Sequence, residues 1–373
     1  MRQFLRATAT LCGLIIGVGI FGVPFVTARS GLGVGLFWLA VVGVVVLTVH
    51  LLYGEVVAAT PGKHRLPGYI GRVFGSVGKQ VVIVLDVVRF WGLQLAYLIV
   101  GGNFLFLLLG QVLGGNPLVY SLGLFGIVAL VTFFGLRVVG RLEWYLTWVL
   151  LAAFVVVIGK GIPHIAWGNL FVPGTGGWFS PYGAIMVALS GAPAIPEIWD
   201  LARHRRNIFR WSIIVGTLLP LILTALFTVV VVGVSGGATS PEAIAGLAGA
   251  LGSGVVYVGA LAGFLAIITS YLVIALYLQE ALRYDFLVKR APAWVLAVSV
   301  PLLLFLAGAQ DFIAVMDIIG SILFGLEGVL IVTVALVIIR RRRLGAPRLK
   351  TVWGILVALL LALGVIQKLA HWV

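Results

Sequence analysis

Charged side chains are what this chain has least of. They make up 10% of its 373 residues, against 62% hydrophobic ones, where a soluble domain carries about 25%. That deficit excludes a soluble enzyme, a nucleic-acid binder and a disordered scaffold. Cysteine is as scarce. Cys12 stands alone, which excludes a disulfide within the chain and any multi-cysteine metal site. Its apolar surroundings make it a packing residue rather than a reactive thiol. Acidic residues number 11 against 25 Lys and Arg, a formal charge of +14. In a soluble protein that excess suggests phosphate partners. In a membrane protein cations gather on one side of the bilayer, so their positions have to be read first. The histidines (His50, His64, His164, His204 and His371) are scattered, with no HExxH or paired spacing, and no Walker-A sequence occurs. Metal-assisted hydrolysis and ATP-driven transport by this chain alone therefore find no support.

Long apolar runs are what it has instead, with a mean hydropathy of +1.21. A transmembrane helix needs about 20 mostly apolar residues. That rule gives eleven spans, at about 7–26, 33–57, 81–109, 118–136, 144–162, 179–198, 209–234, 255–282, 293–309, 313–339 and 352–370. Runs such as Leu218 to Val234 have no polar face, so they are not amphipathic surface helices. A membrane barrel would show shorter alternating segments. The expected fold class is an all-α integral membrane protein with residues 1–373 in a single domain. Arg2 and Arg6 precede the first run as in a secretory signal. Its apolar stretch is longer than a signal's core, however, and Gly17, Gly19, Gly22 and Pro24 interrupt it, so it reads as a retained span.

The cations then fix an orientation. Arg2 and Arg6 precede span one, and Lys63, Arg65, Arg72 and Lys79 follow span two. Arg137 and Arg141 follow span four; Arg203, Arg205, Arg206 and Arg210 follow span six. Arg283, Lys289 and Arg290 follow span eight. Arg340 to Arg343, Arg348 and Lys350 follow span ten, which puts 21 of the 25 cations on one side. Arg29, Lys160 and Lys368 fall on or near the other side, and Arg89 lies within span three. The positive-inside rule makes the loaded side cytoplasmic: N-terminus inside, C-terminus external, in a cytoplasmic (inner) membrane.

Two spans contain breaks. Span one reads Gly13-Leu14-Ile15-Ile16-Gly17-Val18-Gly19-Ile20-Phe21-Gly22-Val23-Pro24, and span six Val187-Ala188-Leu189-Ser190-Gly191-Ala192-Pro193-Ala194-Ile195-Pro196-Glu197. Glycine weakens a helix and proline removes one of its hydrogen bonds. Such residues also permit close packing of membrane helices. Their correspondence favours a binding role. The breaks occupy the same place in two sets of five spans, the second set inverted, which points to a transporter's central site. An unwound helix offers N–H groups at one new end and carbonyls at the other. A zwitterionic amino acid matches both poles. Neither break holds a charged side chain to match a charged substrate.

At these two breaks the sequence resembles the amino acid–polyamine–organocation superfamily, above all its amino acid/auxin and hydroxy/aromatic amino acid (tryptophan/tyrosine) permease branches. The residues that carry this are Gly17-Val18-Gly19-Ile20-Phe21-Gly22-Val23-Pro24 and Ser190-Gly191-Ala192-Pro193-Ala194-Ile195-Pro196-Glu197, and the span layout covers the whole chain. The resemblance implies a five-plus-five inverted-repeat, leucine-transporter-like fold, with repeat one at about 7–162, repeat two at about 179–339 and an extra helix at about 352–370. Spans one, two, six and seven would rock against three, four, eight and nine. It implies secondary, cation-coupled transport without ATP; with the charge-free breaks, the expected function is sodium- or proton-driven symport of neutral, including aromatic, amino acids by alternating access. A sodium cage would join the carbonyls of Gly13 and Ile16 to Ala266, Thr269 and Ser270 in the Ala-x-x-Thr-Ser stretch of span eight. Those hydroxyls equally serve hydrogen bonds within the bundle.

Charges at membrane depth are functional candidates by default. Glu327 lies thirteen residues, about 20 Å of helix, from Arg340. It reads either as a proton carrier or as the partner of a buried cation such as Arg89. Asp86 and Arg89 share a face of span three and make a structural pair; with Glu55 and Glu197 they also form a possible inner gate. Lys160 closes span five and snorkels, and Asp317 reads as solvated. Trp91, Gln94 and Tyr97 on span three, with Leu189 and Ser190, suggest a partly aromatic pocket wall. The expected site is therefore Gly17, Val18, Gly19, Gln94, Tyr97, Leu189, Ser190, Gly191 and Ala192 for substrate. Gly13, Ile16, Ala266, Thr269, Ser270 and Glu327 serve coupling, and Glu55, Asp86, Arg89 and Glu197 gating. The expected partners are an amino acid and the lipid bilayer, with no nucleic acid, no obligatory protein partner and no cofactor beyond Na+ or H+. Alternatives are a nucleobase or inorganic-cation transporter and, from another class, a membrane-embedded enzyme.

Overall fold

The computed structural model describes residues 1–62, 64–134, 139–284, 286–342 and 347–370. Lys63, Arg137, Arg343 and His371, and the side chains of Arg141, Arg342 and Arg348, lie outside the described residues. Span one is two helices, α1 (Arg2–Ile15) and α2 (Gly19–Ser30), bent by 55° where they meet. It is followed by α3 (Leu32–Ala59), α4 (Leu66–Leu113), α5 (Pro117–Phe134), α6 (Val139–Gly161) and the short α7 (Trp167–Leu170). The second half runs α8 (Ser180–Leu189), α9 (Ile195–Leu201), α10 (Arg206–Ser235), α11 (Ala248–Tyr284), α12 (Arg290–Leu306), α13 (Phe312–Ile318) and α14 (Gly325–Arg342), and α15 (Pro347–Ala370) closes the chain. Among the described residues, eight helices are long and apolar enough to cross a membrane, or nine with the bent pair as one span. Two shorter apolar helices, Trp148–His164 and Arg290–Leu306, stand where spans five and nine are expected.

Three irregularities escape the hydropathy reading. The third span extends back to Leu66, and Gly75 (φ 71°) divides a leading helix from the apolar one. Gly252 (φ 76°) does the same at the start of α11. Between α13 and α14 the chain makes a π turn at Ile319–Phe324, a feature that interrupts the regular hydrogen-bond ladder and often marks a functional site. Here Gly183 of α8 meets Gly320 so closely that a Cβ on Gly320 would overlap the Gly183 carbonyl. The absence of side chains lets the half-helix sit against the turn.

Helix contacts fall into two groups. α1, α2, α3, α8, α9 and α10 pack on one another, while α4 packs on α5, α11 and α12. α6 leans on α11, and α14 ties α3 to α15. Phe21, just past the first break, joins the groups: its ring lies 5.1 Å from Phe104 of α4 and 5.6 Å from Phe154 of α6.

Candidate functional site

Both breaks form, and they meet. Helical hydrogen bonding in α1 stops at Ile16, whose ψ of 82° turns the chain out of the helix, and α2 restarts at Gly19. In the second half, α8 ends at Leu189, Ser190 is extended, and a 3₁₀ turn over Ala192–Ala194 leads into α9. The half-helices touch backbone to backbone: a Cβ on Gly19 would lie 2.5 Å from Ala188 Cα. Ordinary carbon contacts are about 3.5–4.0 Å, so only glycine allows this approach. The break of span one thus exposes the first-turn N–H groups of α2 and the last carbonyls of α1 in one place.

The scaffold side of this junction is α4 and α11. Gln94 and Tyr97, three residues apart, share a face of α4. The Tyr97 hydroxyl stands 3.9 Å from where a Cβ on Gly17 would be. The Tyr97 ring stacks on Tyr271 of α11, with centroids 6.2 Å apart. Gln94 is fully buried, and among the described residues neither its amide oxygen nor its nitrogen has a hydrogen-bond partner, nor does the buried Tyr271 hydroxyl. Buried polar groups are ordinarily satisfied, so these groups beside an unwound helix are the candidate place for a polar ligand. The cage expected on span eight is differently engaged. Thr269 Oγ1 donates back to the carbonyls of Leu265 and Ala266 at 3.1 and 3.0 Å.

A cavity of about 1110 Å³ runs from Arg2, Arg6 and Arg65 at the arginine-rich end to Gly13, Ile16 and Ala192 at the breaks. Glu197 lines it, as do Asp86, Arg89 and Glu327. The opposite end is closed. The Gly176 N–H donates to the Arg29 carbonyl (2.8 Å) and Trp38 Nε1 to the Trp178 carbonyl (2.6 Å), drawing the strap before α8 over the end of α2. Phe179 and Tyr182 pack on the Trp38 ring at 4.9 and 5.3 Å. The bundle is therefore open on the arginine-rich side and shut on the other.

The buried charges find partners that sequence spacing only partly gives. Arg89 pairs with Asp86 at 2.7 Å, as the i, i+3 spacing implies, and on its other side with Glu327. Of the two readings of Glu327, the buried ion pair is the one present. The inner gate joining Arg89 to Glu55 and Glu197 is not formed. Glu55 is drawn instead to Lys350 at the start of α15, 3.6 Å away, because Arg89 is already held between two nearer carboxylates. Asp317 is not merely solvated: it takes Lys368 of α15 at 2.6 Å and the Ser321 hydroxyl at 2.8 Å. Trp91 leaves the pocket wall, its indole N–H donating to the Leu296 carbonyl of α12. Lys160 sits exposed in the last turn of α6.

One residue was missed. His50 of α3, counted only among the scattered histidines, is buried at the second break. Its Nε2 accepts the Gly191 N–H at 3.1 Å, and Nδ1 meets Thr217 Oγ1 of α10 at 2.9 Å. The rule that singled out Glu327, an ionisable group inside an apolar span, applies equally to Val49-His50-Leu51.

The sequence pattern of the tryptophan/tyrosine permease family matches residues 1–371. The chain belongs to that family. It is a multi-pass membrane protein of a permease family. Among curated relatives, the tyrosine-specific transport system 1 of Haemophilus influenzae is 24% identical over 233 residues, 59% of this permease and 55% of that protein. The match thus spans little more than half of the relative. Solved structures similar to the permease include three transporters. A nucleobase-cation-symport-1 family transporter, closed with bromovinylhydantoin bound, has a TM-score of 0.64 at 17% identity, covering 98% of this chain and 92% of that one. MhsT in complex with L-phenylalanine has 0.62 at 15%, covering 96% and 98%. A manganese transporter of Eremococcus coleocola has 0.68 at 14%, covering 98% and 85%. At these identities the likeness shows the fold, the leucine-transporter class with inverted repeats, which accords with the paired breaks.

Proposed function

We propose that this permease carries a neutral aromatic amino acid across the cytoplasmic membrane by alternating access, driven by a sodium or proton gradient. The observation that carries this reading is the junction of the two breaks with Gln94, Tyr97 and Tyr271. The breaks supply an N–H end for a carboxylate and a carbonyl end for an ammonium group. The stacked tyrosines supply a flat apolar wall, and the orphaned Gln94 amide supplies both a donor and an acceptor. An aromatic amino acid uses all of these at once. The tyrosine transporter among the relatives and the L-phenylalanine in a structural neighbour point the same way.

In the transport cycle, α1, α2, α3, α8, α9 and α10 move against α4, α5, α11 and α12. By the positive-inside rule the arginine-rich mouth faces the cytoplasm and the C-terminus lies outside, so the conformation described is the one that releases substrate inward. A coupling Na+ would meet the carbonyls of Gly13 and Ile16 with the hydroxyls of Thr269 and Ser270, an all-oxygen set suited to a hard cation. Purified permease in liposomes, given labelled tyrosine, tryptophan or phenylalanine under separately imposed sodium and proton gradients, tests the reading. Concentrative uptake of one of them is expected. Absence of uptake of all three under both gradients would overturn it.

A further inference from the structure

We propose that His50 is the site at which a proton is coupled to the helix-six hinge: its neutral ring holds the break in the conformation open to the arginine-rich side, and a proton occupies it only in the alternate conformation. This rests on the transport reading above and assigns the coupling proton to a residue.

The argument is one of donors and acceptors. A neutral imidazole has one N–H and one bare nitrogen, and the partner of each fixes which is which. A backbone N–H only donates, so Nε2, which receives the Gly191 N–H, is the bare nitrogen. Nδ1 then carries the hydrogen and donates to Thr217 Oγ1. The ring therefore bridges three elements of the moving bundle: α3, the unwound part of span six, and α10. A second proton has no place here. It would sit on Nε2 facing the Gly191 N–H, two donors head to head, with a cation buried at 1% exposure. Proton and hydrogen bond thus exclude one another. Taking up the proton releases the Gly191 N–H from α3 and frees the hinge, and closing the bond expels the proton.

The surroundings leave this competition uncompensated. The ionisable groups on α3 and the elements packed around this stretch include Cys12 on α1, Arg29 on α2, Tyr53 and Glu55 on α3, Tyr182 on α8, Glu197 and Asp200 on α9, Arg206 and Arg210 on α10, Glu327 and Arg340 on α14, and Lys350 and Lys368 on α15. Among the described residues none of them bonds to His50. Cys12 is directed at the Gly216 carbonyl, Glu327 is held by Arg89, and Glu197 lines the cavity. Among the described residues the hydrogen bonds of His50 go to Thr217 and Gly191, not to a carboxylate. The route for the proton is short, because Ala192, which follows Gly191, lines the cavity that opens to the arginine-rich side. A proton bound in the alternate state is therefore released on this side as the Gly191 bond forms. That is the order a symporter requires, and substrate leaves by the same cavity.

The decisive variant is His50→Gln. Its amide oxygen can accept from Gly191 and its amide N–H₂ can donate to Thr217, so it imitates the neutral ring but does not titrate. In proteoliposomes the wild type should accumulate substrate under a proton gradient. H50Q should accumulate at least about tenfold less, while exchange of internal for external substrate continues with its pH dependence flattened. H50Q that accumulates substrate with the wild-type pH profile overturns the proposal. So does wild-type uptake driven by sodium alone and insensitive to pH, a result that leaves the transport reading standing. Only the failure of wild-type uptake under either gradient touches that reading.

Should H50Q fail to fold, the wild-type histidine decides. Spin labels placed at Leu5 of α1 and Trp148 of α6, both lining the cavity, should move closer together on acidification from about pH 8 to about pH 5, the range in which histidine ordinarily gains its charge. A distance distribution unmoved over that range overturns the proposal.

Discussion

Replacing Arg89 by methionine removes the cation that lies between the carboxylates of Asp86 and Glu327. The Arg89 side chain is 4% exposed, Asp86 16% and Glu327 9%, so the charges left behind are largely screened from water. Losing one partner of a buried pair costs about 3–5 kcal/mol, and a loss in that range is expected here, where Glu327 gives up the cation paired with it. Glu327→Gln is the gentler change: it leaves Arg89 and Asp86 as a neutral pair and forfeits one charge-assisted bond, about 1.5–3 kcal/mol. The double variant Arg89→Met, Glu327→Leu replaces the deep pair with apolar groups and leaves only Asp86, the most exposed of the three. Its cost should fall short of the sum of the single changes by up to about 3 kcal/mol. Equilibrium unfolding in mixed detergent micelles measures all three. An R89M protein as stable as wild type, or strict additivity in the double variant, would refute the picture of a desolvated triad.

Other outcomes follow from the same geometry. Gly19→Ala forces a Cβ against Ala188 and should cost about 1–3 kcal/mol, as overpacking does, with transport slowed because α2 is pushed off α8; unchanged uptake and stability would show that the breaks do not touch. Gln94→Met removes two buried orphan polar atoms, so the substrate-free protein should gain about 1–3 kcal/mol while KM rises at least about tenfold; thermal unfolding and uptake kinetics read the two effects separately. If Na+ is the coupling ion, Thr269→Ala combined with Ser270→Ala should abolish the sodium dependence of uptake while leaving exchange of substrate; persistence of that dependence excludes the cage. Lys368→Met should loosen α15 from Asp317, which hydrogen exchange in the last turns of α15 would register; protection equal to wild type would assign that ion pair no part in anchoring the helix.

The two breaks were legible because their cause is local. Glycine and proline act on the backbone of the helix that contains them, and a neighbour's identity hardly matters. The same holds for the Asp86–Arg89 pair, which helical spacing alone brings together. Glu327 was legible as an anomaly, with Arg89 named as one candidate partner, but the sequence left that pair and a proton carrier as alternatives. Whether it meets Arg89 depends on how α14 packs against α4, and the π turn at Ile319–Phe324, invisible to hydropathy, comes just before it. Glu55 went to Lys350 for the same reason: α15 returns beside α3, and no pattern within either segment says so. His50 was overlooked because its meaning lies wholly in its two partners, Gly191 and Thr217, which are 141 and 167 residues away.

The sequence by itself determined that this protein lives in a membrane, where its helices run and break, and, through the positive-inside rule, the expected direction in which they cross. Apolar burial, backbone propensity and the cost of crossing the bilayer with a cation are all set by a residue and its near neighbours. Only the tertiary structure decided which buried polar groups satisfy one another and which are left open. Hydrogen bonds and ion pairs act over a few ångströms, and that proximity is created by packing helices far apart in the chain. The orphaned Gln94, the shut strap over Trp38 and the His50 bridge across the helix-six break exist only once that packing is made.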